Sequence, residues 1–178
     1  MKKIIVIGCG GSGKSTLARK LGIKLSLPVH HLDRLFWQPG WVSIDKEHMR
    51  ELQEKIVSGE EWIMDGNYGS TLDLRLAACD TVIYLNYPTW RCLYGILKRR
   101  FHYRKKTRPD MTEGCNERLN WEFFRWVARF QKVQAPVIQK KIVACEHEKT
   151  IYSFSSPKQT EAFLQSLDKV KLQSSGGF

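Results

Sequence analysis

Short apolar runs alternate with longer amphipathic stretches along the chain. The runs are rich in β-branched and aromatic residues and end at Gly, Pro, Asn or Asp, a pattern typical of buried strands. Five strands are predicted in this way, at 4–7, 29–33, 62–64, 81–85 and 150–154.

Apolar residues at helical spacing fill most of the intervals between these strands. Helices are predicted after residue 14, over 44–57, around 72–76, over 89–100, from about 117 onward with a kink or break at Pro136, and over 158–170. Strands that alternate with helices indicate a parallel sheet covered on both faces. The expected fold is therefore an α/β three-layer sandwich with a five-stranded parallel sheet.

The chain length of 178 residues fits a single domain. Its composition changes once, where six basic residues occur between 99 and 108 without an acid. We interpret 101–117 as a mobile basic lid outside the core, although a solvated charge run is the usual explanation of such a cluster. Residues 173–178 are expected to fray.

Overall charge favours anionic partners, because Lys and Arg total 29 against 18 Asp and Glu, a formal net charge of +11. The five cysteines show no CxxC spacing, so neither a disulfide framework nor a zinc site is indicated. No secretory segment and no apolar run of membrane-spanning length is visible. The expectation is a cytoplasmic protein without a membrane partner.

A phosphate-binding loop follows the first strand. The pattern is Gly, four residues, Gly, Lys, then Ser or Thr, and it lies between a predicted strand and a predicted helix. Its glycines let successive N–H groups approach a polyphosphate at a helix N-terminus, Lys14 is placed to reach the β- and γ-phosphates, and Ser15 to bind Mg²⁺. The predicted ATP contacts are Gly8, Gly10, Gly11, Ser12, Gly13, Lys14, Ser15 and Thr16.

A dinucleotide-binding GxGxxG pattern can also be traced through Gly8, Gly10 and Gly13. It needs an acid about twenty positions further on, which only Asp33 supplies, and it leaves Lys14 and Ser15 unexplained. The triphosphate interpretation is therefore preferred.

Acids end two of the predicted strands, at the sheet edge where ligands bind in such folds. Asp65 is predicted to hold Mg²⁺ together with Ser15, and Asp33 to orient or deprotonate an acceptor hydroxyl. Each has a plainer alternative as a turn or capping residue.

Further candidates surround this cleft. Arg99, Arg100 and Arg125 are predicted to stabilise the transferred phosphoryl group from the lid side. The turn at Ser156 and Pro157 is expected to contact the nucleotide base. The predicted acceptor contacts are Asp33, Trp37, Asn67, Tyr68 and Arg75.

Core packing is an equal alternative for the aromatic acceptor candidates. His30 and His31 have no partners at metal-binding spacing, so we interpret them as structural.

At these residues the chain resembles the adenylate-kinase-like branch of small P-loop kinases, and more closely the group of DNA topology modulation proteins. The resemblance implies a five-stranded core, an arginine lid over ATP, and an acceptor site lined by the loops after the second and third strands. The matching stretches are 8–16, 31–41, 62–68, 71–75, 98–100 and 107–115.

The sequence departs from adenylate kinase itself at the acceptor side. Asn67 and Tyr68 stand where that family has an aromatic-Pro-Arg run, so an AMP-phosphate arginine is missing unless Arg75 replaces it. The predicted lid has one cysteine, Cys115, which excludes a zinc-bearing lid. Asp33 followed by Arg34 is more similar to uridine-kinase-like enzymes.

The leading hypothesis is a Mg-ATP-dependent kinase that phosphorylates a nucleoside, a nucleotide or another hydroxyl metabolite. The alternative is a nucleic-acid-binding NTPase or regulator that affects DNA topology, which the charge of +11 favours. The kinase is preferred because the basic residues concentrate in one lid-like segment, and no helix-turn-helix or RNA-binding signature is visible.

Overall fold

A computed structural model describes residues 1–104, 106–118 and 120–175, with side chains up to residue 168 within those ranges. Five parallel strands form one sheet, namely β1 (Lys3–Gly8), β2 (Val29–His31), β5 (Trp62–Asp65), β6 (Thr81–Leu85) and β7 (Thr150–Phe154). Their order in the sheet is β2-β5-β1-β6-β7. The predicted fold class is confirmed.

The core is centred on β1, which pairs with β5 on one side and β6 on the other. Its residues 4–7 are completely buried because helices surround the sheet. A strand covered on both faces needs a continuous apolar run instead of an alternating one. This explains why β1 is visible in the sequence without any period-2 pattern.

Helices join the strands and follow the predicted order. They are α1 (Lys14–Leu25), α2 (Leu32–Phe36), α3 (Lys46–Val57), α4 (Leu72–Ala78), α5 (Thr89–His102), α6 (Trp121–Val133), α7 (Ala135–Ala144) and α8 (Pro157–Ser175). Pro136 lies in the first turn of α7, where a missing N–H costs nothing, so it separates α6 from α7.

The predicted second strand is too long. The strand ends at His31, and residues 32–36 form α2, so Asp33 lies in the first turn of a helix. Leu, Asp, Arg, Leu and Phe include no β-branched residue, and an acid near the N-terminus suits the helix dipole. A small hairpin follows, with β3 (Trp37–Gln38) antiparallel to β4 (Val42–Ser43).

The basic segment is more buried than the sequence suggested, although its residues lie outside the main hydrophobic core. Several of its side chains are buried, namely Arg108, Asp110, Met111, Cys115 and Glu117. Thr107 and Asn116 form an antiparallel bridge across it. Lys105 and Leu119 lie outside the described residues.

The last helix, α8, continues through Ser175, and residues 176–178 lie outside the described part of the chain. The predicted fraying of 173–178 therefore stays a prediction. Among the helices that the structure describes, none has both the length and the apolar character needed to cross a membrane.

Candidate active site

The loop between β1 and α1 contains two glycines in the left-handed region of backbone conformation. Gly11 and Gly13 have positive φ angles of 78° and 92°, a region that side chains disfavour. The N–H of Ser12 donates to the Cys9 carbonyl at 3.2 Å, and Lys14 Nζ donates to the same oxygen at 2.9 Å. The loop is thus closed by its own backbone, with α1 beginning at Lys14.

Asn67 fixes the start of this loop. Its Oδ1 accepts from the Gly8 N–H at 3.0 Å, and its Nδ2 donates to the Gly8 carbonyl at 2.6 Å. Gly8 has a φ of 144°, and a Cβ there would lie 2.5 Å from the Leu85 carbonyl oxygen. Asn67 therefore ties the segment after β5 to the phosphate loop.

Helix α5 packs directly on the loop backbone. A Cβ on Gly95 would lie 2.0 Å from the Gly11 carbonyl oxygen, and one on Gly11 would lie 2.2 Å from the Cys92 carbonyl oxygen. Glycine at both positions allows this approach. Sequence reasoning singled out Gly11 for its conformation but gave no role to Gly95.

A cavity of about 990 Å³ opens beside the loop. Residues 10–16 of the loop line it together with Asp33, Asp65, Asn67, Tyr68, Arg99 and Pro157. Most of the predicted site residues therefore meet in one cleft. Gly8, Trp37, Arg75, Arg100, Arg125 and Ser156 do not line it.

Asp65 is held at both carboxylate oxygens. Oδ2 accepts from Ser15 Oγ at 2.6 Å, and Oδ1 contacts Nδ1 of His31. Both His31 and Asp65 are buried, and their strands β2 and β5 are neighbours in the sheet. His31, interpreted from sequence as structural, therefore orients the predicted metal-binding carboxylate.

Asp33 accepts a hydrogen bond from the Tyr68 hydroxyl at 2.9 Å. Burial raises the pKa of Tyr68, and the nearby Asp33 carboxylate raises it further. Tyr68 thus stays a neutral donor to Asp33 across the physiological range. Its ring packs edge-on against Phe36 with 5.2 Å between the ring centroids.

Arg75 is turned inward. It is fully buried, and its terminal nitrogens donate to the carbonyls of Gly66, Asn67 and Tyr68 at 2.8, 2.8 and 3.0 Å. Burial lowers its pKa to about 10. The guanidinium predicted to bind an acceptor anion instead holds the loop after β5.

Two arginines of the lid side share one buried acid. Arg99 Nε lies 2.9 Å from Glu117 Oε1, and Arg108 Nε lies 2.9 Å from Glu117 Oε2. A second nitrogen of Arg108 donates to Asp110 at 2.7 Å. Arg108 and Asp110 line the cavity, and Glu117 lies behind them with a side chain only 2% exposed.

The other two predicted lid arginines lie elsewhere. Arg100 donates to the Glu117 carbonyl at 2.9 Å, which ties α5 to the basic segment without reaching the cavity. Arg125 is exposed on α6. Neither is placed by this geometry against a nucleotide in the cleft.

The basic segment docks on the loop that follows Asp33. Thr112 Oγ1 donates to the Arg34 carbonyl at 2.8 Å, and Trp41 Nε1 donates to the Asn116 carbonyl at 3.1 Å. Trp37 lies edge-on to Trp41 with 5.4 Å between the ring centroids. Trp37 therefore supports this contact from outside the cavity, and the basic segment covers the side of the cleft that holds Asp33.

At the opposite side, Pro157 lines the cavity and Ser156 caps α8 by accepting the Gln159 N–H at 3.4 Å. The predicted base-binding turn is thus half in the cleft. Thr160, which also lines the cavity, contacts Tyr87 Oη through its Oγ1 at 2.5 Å.

Sequence reasoning missed several lining residues. Arg91, Lys98 and His102 lie on one side of α5 at helical spacing with Gly95, and all four face the cavity. The helical spacing of these residues is visible in the sequence, but their position became clear only from the contact between Gly95 and the phosphate loop. Arg108 lies within the stretch 107–115 that carried the family resemblance, which was the available signal for it.

The loop has the features that a polyphosphate and Mg²⁺ require. Ser12 Oγ is buried without a hydrogen-bond partner among the described residues, and a Cβ on Gly13 would meet only open space. Ser15 Oγ and Asp65 Oδ2 form a hydroxyl and carboxylate pair of the type that holds Mg²⁺ with phosphate oxygens. Within the described ranges, no cluster of three or more His, Cys, Asp or Glu side chains forms a protein-only metal site.

Solved structures with the same fold include three shikimate kinases, all at low sequence identity. The enzyme from Acinetobacter baumannii, in complex with shikimate, has a TM-score of 0.59 and 15% identity over 99% of this chain and 96% of its own. The Bacteroides thetaiotaomicron enzyme has a TM-score of 0.51 and 18% identity over 94% and 96%. The Aquifex aeolicus enzyme has a TM-score of 0.50 and 15% identity over 98% and 99%.

The chain therefore has the P-loop fold of these small kinases over nearly its whole length. No protein-family model and no curated protein matches the sequence. The finer resemblance to DNA topology modulation proteins stays a prediction.

Proposed function

We propose that this protein is a Mg-ATP-dependent kinase that transfers the γ-phosphoryl group to a hydroxyl of a nucleoside, a nucleotide or another small metabolite. The observation that carries the proposal is the convergence of the phosphate loop, Asp65 and Asp33 on one cavity of about 990 Å³. The shikimate kinases that share its fold favour the same class of reaction.

The phosphate loop would hold the triphosphate through its N–H groups, Ser12 Oγ and Lys14. Lys14 donates to the Cys9 carbonyl, and it would exchange this neutral acceptor for phosphate oxygens when a nucleotide binds. Thr16 and Pro157 line the remainder of the nucleotide site. Arg91 and Lys98 add positive charge from α5.

Ser15 and Asp65 would hold Mg²⁺. When bound, the ion supplies charge compensation for the phosphate oxygens and helps to align the transferred group. His31 keeps the Asp65 carboxylate in one orientation, as outer-shell partners of metal ligands commonly do. This contact is the chain's own contribution to the precision of the site.

Asp33 would accept the proton of the acceptor hydroxyl or fix its direction. Tyr68 donates to one carboxylate oxygen and thereby leaves the other free for the acceptor. Arg99 lines the cavity and would stabilise negative charge on the phosphoryl group in flight. Asn67 and Arg75 would act indirectly. Asn67 positions the phosphate loop, and Arg75 positions the loop after β5.

Replacement of Lys14 tests the proposal most directly. Lys14→Ala is expected to lower ATP turnover by about a hundredfold to a thousandfold, because it removes a charged donor to the transferred group. The measurement is ADP formation with Mg-ATP, with circular dichroism to verify the fold. Lys55→Ala, which removes an exposed lysine of α3, is the matched control. Undiminished turnover in Lys14→Ala would refute the proposal.

A nucleic-acid-binding NTPase or regulator is the second candidate, favoured by the net charge of +11. Such a protein binds DNA with an affinity that falls steeply as salt rises. Fluorescence anisotropy with labelled duplex DNA from 50 to 300 mM salt separates the two, since the kinase needs an acceptor and no DNA.

As part of the leading proposal we place the protein in the cytoplasm, where reduced cysteines and ATP are both available.

A further inference from the structure

Two groups of cationic side chains line the cavity, in addition to Arg19, Lys20 and His102. The first group is Lys14, which follows the phosphate loop, together with Arg91 and Lys98 of α5. The side of α5 that carries Arg91 and Lys98 also carries Gly95, which touches Gly11 of the loop. Within the described residues, no carboxylate lies within salt-bridge distance of these three. This side of the cavity keeps its positive charge for the triphosphate.

Arg99 and Arg108 form the second group, on the side covered by the basic segment. Both bind Glu117, and Arg108 also binds Asp110. Burial lowers the pKa of Arg99 and the neighbouring Arg108 lowers it further, against the opposite effect of Glu117 and Asp33. The guanidiniums of Arg99 and Arg108 are thus surrounded by three carboxylates, those of Asp33, Asp110 and Glu117.

Arg75 is a third arginine close to the acceptor side. Its two terminal nitrogens bond to three backbone carbonyls, and the residue is fully buried away from the cavity. It is therefore not available to a substrate anion. Arg75 and Arg108 are bonded through terminal nitrogens, whereas Arg99 is bonded to Glu117 through Nε, which leaves its terminal nitrogens for the transferred phosphoryl group.

We propose that the acceptor is an uncharged, hydroxylated molecule such as a nucleoside, a sugar or a polyol, and not a phosphate- or carboxylate-bearing metabolite. This inference rests on the proposed kinase function and narrows its substrate class. An anionic acceptor would compete with Glu117 and Asp110 for the charge of Arg99 and Arg108, and it would lie close to the Asp33 carboxylate. An uncharged hydroxyl compound needs no such exchange.

The transfer step is compatible with this assignment. The acceptor oxygen forms a bond to the γ-phosphorus, the bond between that phosphorus and the β,γ-bridging oxygen breaks, and ADP leaves with the electron pair. The hydroxyl proton passes to the Asp33 carboxylate. Only the acceptor hydroxyl takes part, so no charged group on the acceptor is needed.

Matched pairs of acceptors test the inference, each pair differing by one charged group. Suitable pairs, in which both members keep the same hydroxyls, are methyl shikimate and shikimate, methyl quinate and quinate, and glucuronamide and glucuronate. Adenosine with AMP and thymidine with dTMP compare nucleoside with nucleotide. ADP formation above the acceptor-free rate gives kcat/KM for each compound with saturating Mg-ATP. We expect turnover with an uncharged member, and at least about tenfold lower kcat/KM for its anionic counterpart. Equal or better turnover of an anionic member overturns the inference.

Glu117→Gln sharpens the test because it keeps the side-chain shape and removes the charge. The ratio of kcat/KM for the anionic over the uncharged member is expected to rise at least about tenfold. Asp110→Asn is the second variant if Glu117→Gln folds poorly, and the ratio should move in the same direction. Glu54→Gln removes an exposed carboxylate that binds Arg50 at 2.9 Å and should leave the ratio unchanged. An unchanged ratio in both test variants overturns the inference.

The failure of this inference is distinct from failure of the proposed function. If Lys14-dependent phosphorylation occurs with AMP or shikimate as the better acceptor, the protein is a kinase and only the substrate class is wrong. If equilibrium dialysis shows no binding of Mg-ATP, the proposed function itself is wrong.

Discussion

The two sides of the cavity are built in opposite ways. The proposed nucleotide side is formed mainly by one contiguous loop, 8–16, whose backbone N–H groups and glycines would form most of the binding surface. The acceptor side consists of side chains from separate segments, with Asp33 held by Tyr68, and Arg99 held by Glu117. The first surface is a property of the main chain and the second is a property of side-chain pairs.

This difference has a consequence for how each side tolerates change. A main-chain site survives most substitutions, provided that the glycines and the charged donor remain. A site made of buried pairs responds to the loss of either partner, since the remaining group is left without compensation. The acceptor side is therefore where small changes of sequence alter specificity.

Asp33→Asn is the change expected to separate the two sides most strongly. The amide cannot take the acceptor proton, so we expect kcat for transfer to fall by about a hundredfold to ten-thousandfold. The affinity for Mg-ATP, measured by calorimetry, should change little because Asp33 lies on the acceptor side. Asp73→Asn, on the exposed face of α4, provides the control. Unchanged kinetics would reduce Asp33 to a structural residue of α2.

Arg75→Met probes the support of the acceptor side. The substitution keeps most of the side-chain volume but removes the donors to three carbonyls. We therefore expect the free energy of unfolding, measured in urea, to fall by about 2–4 kcal/mol. Arg50→Met breaks only an exposed ion pair on α3, so it should lower the free energy of unfolding by less than about 1 kcal/mol. A similar stability for both variants would contradict the role assigned to Arg75.

His31→Gln probes the nucleotide side at its metal ligand. Loss of the contact with Asp65 should weaken Mg²⁺ binding by about tenfold or more, as expected for an outer-shell partner. Calorimetric titration of Mg²⁺ into the complex with a non-hydrolysable ATP analogue measures this without turnover. His48→Gln, on exposed α3, should leave the affinity unchanged. A loss of stability with normal Mg²⁺ affinity would show that His31 only packs.

The smallest expected effect concerns His30. Burial lowers its pKa below the ordinary 6.5, and the adjacent His31 adds to the shift. The unfolded chain therefore binds the proton more readily, so stability should fall as the pH drops below about 6.5 and level off beneath the folded-state pKa. Tm between pH 8 and 5 should fall less in His30→Gln than in the wild type, whereas replacement of exposed His147 by Gln should change nothing.

Local patterns were sufficient for the sheet and the phosphate loop. The run at 4–7 and the glycines around Lys14 act through neighbours in the chain, so their roles are visible in a short window of sequence. Asp33 and Asp65 were located as candidates by the ends of strands, although Asp33 lies in the helix that follows its strand.

Contacts between distant residues could not be predicted in this way. His31 and Asp65 are 34 positions apart, and Arg99 and Glu117 are 18 apart. Whether Arg75 points into the cleft or into the core depends on the carbonyls that the loop after β5 presents to it. Residue type and spacing carry no record of such partners.

The contact between Gly11 and Gly95 divides α5 into two halves. The backbone of its first half touches the backbone of the phosphate loop, so a shift of either one would move the other. Its second half carries Arg99 and continues into the basic segment. A rearrangement that keeps this contact would have to lie beyond Gly95, so we expect the phosphate loop and the first half of α5 to move as one rigid body.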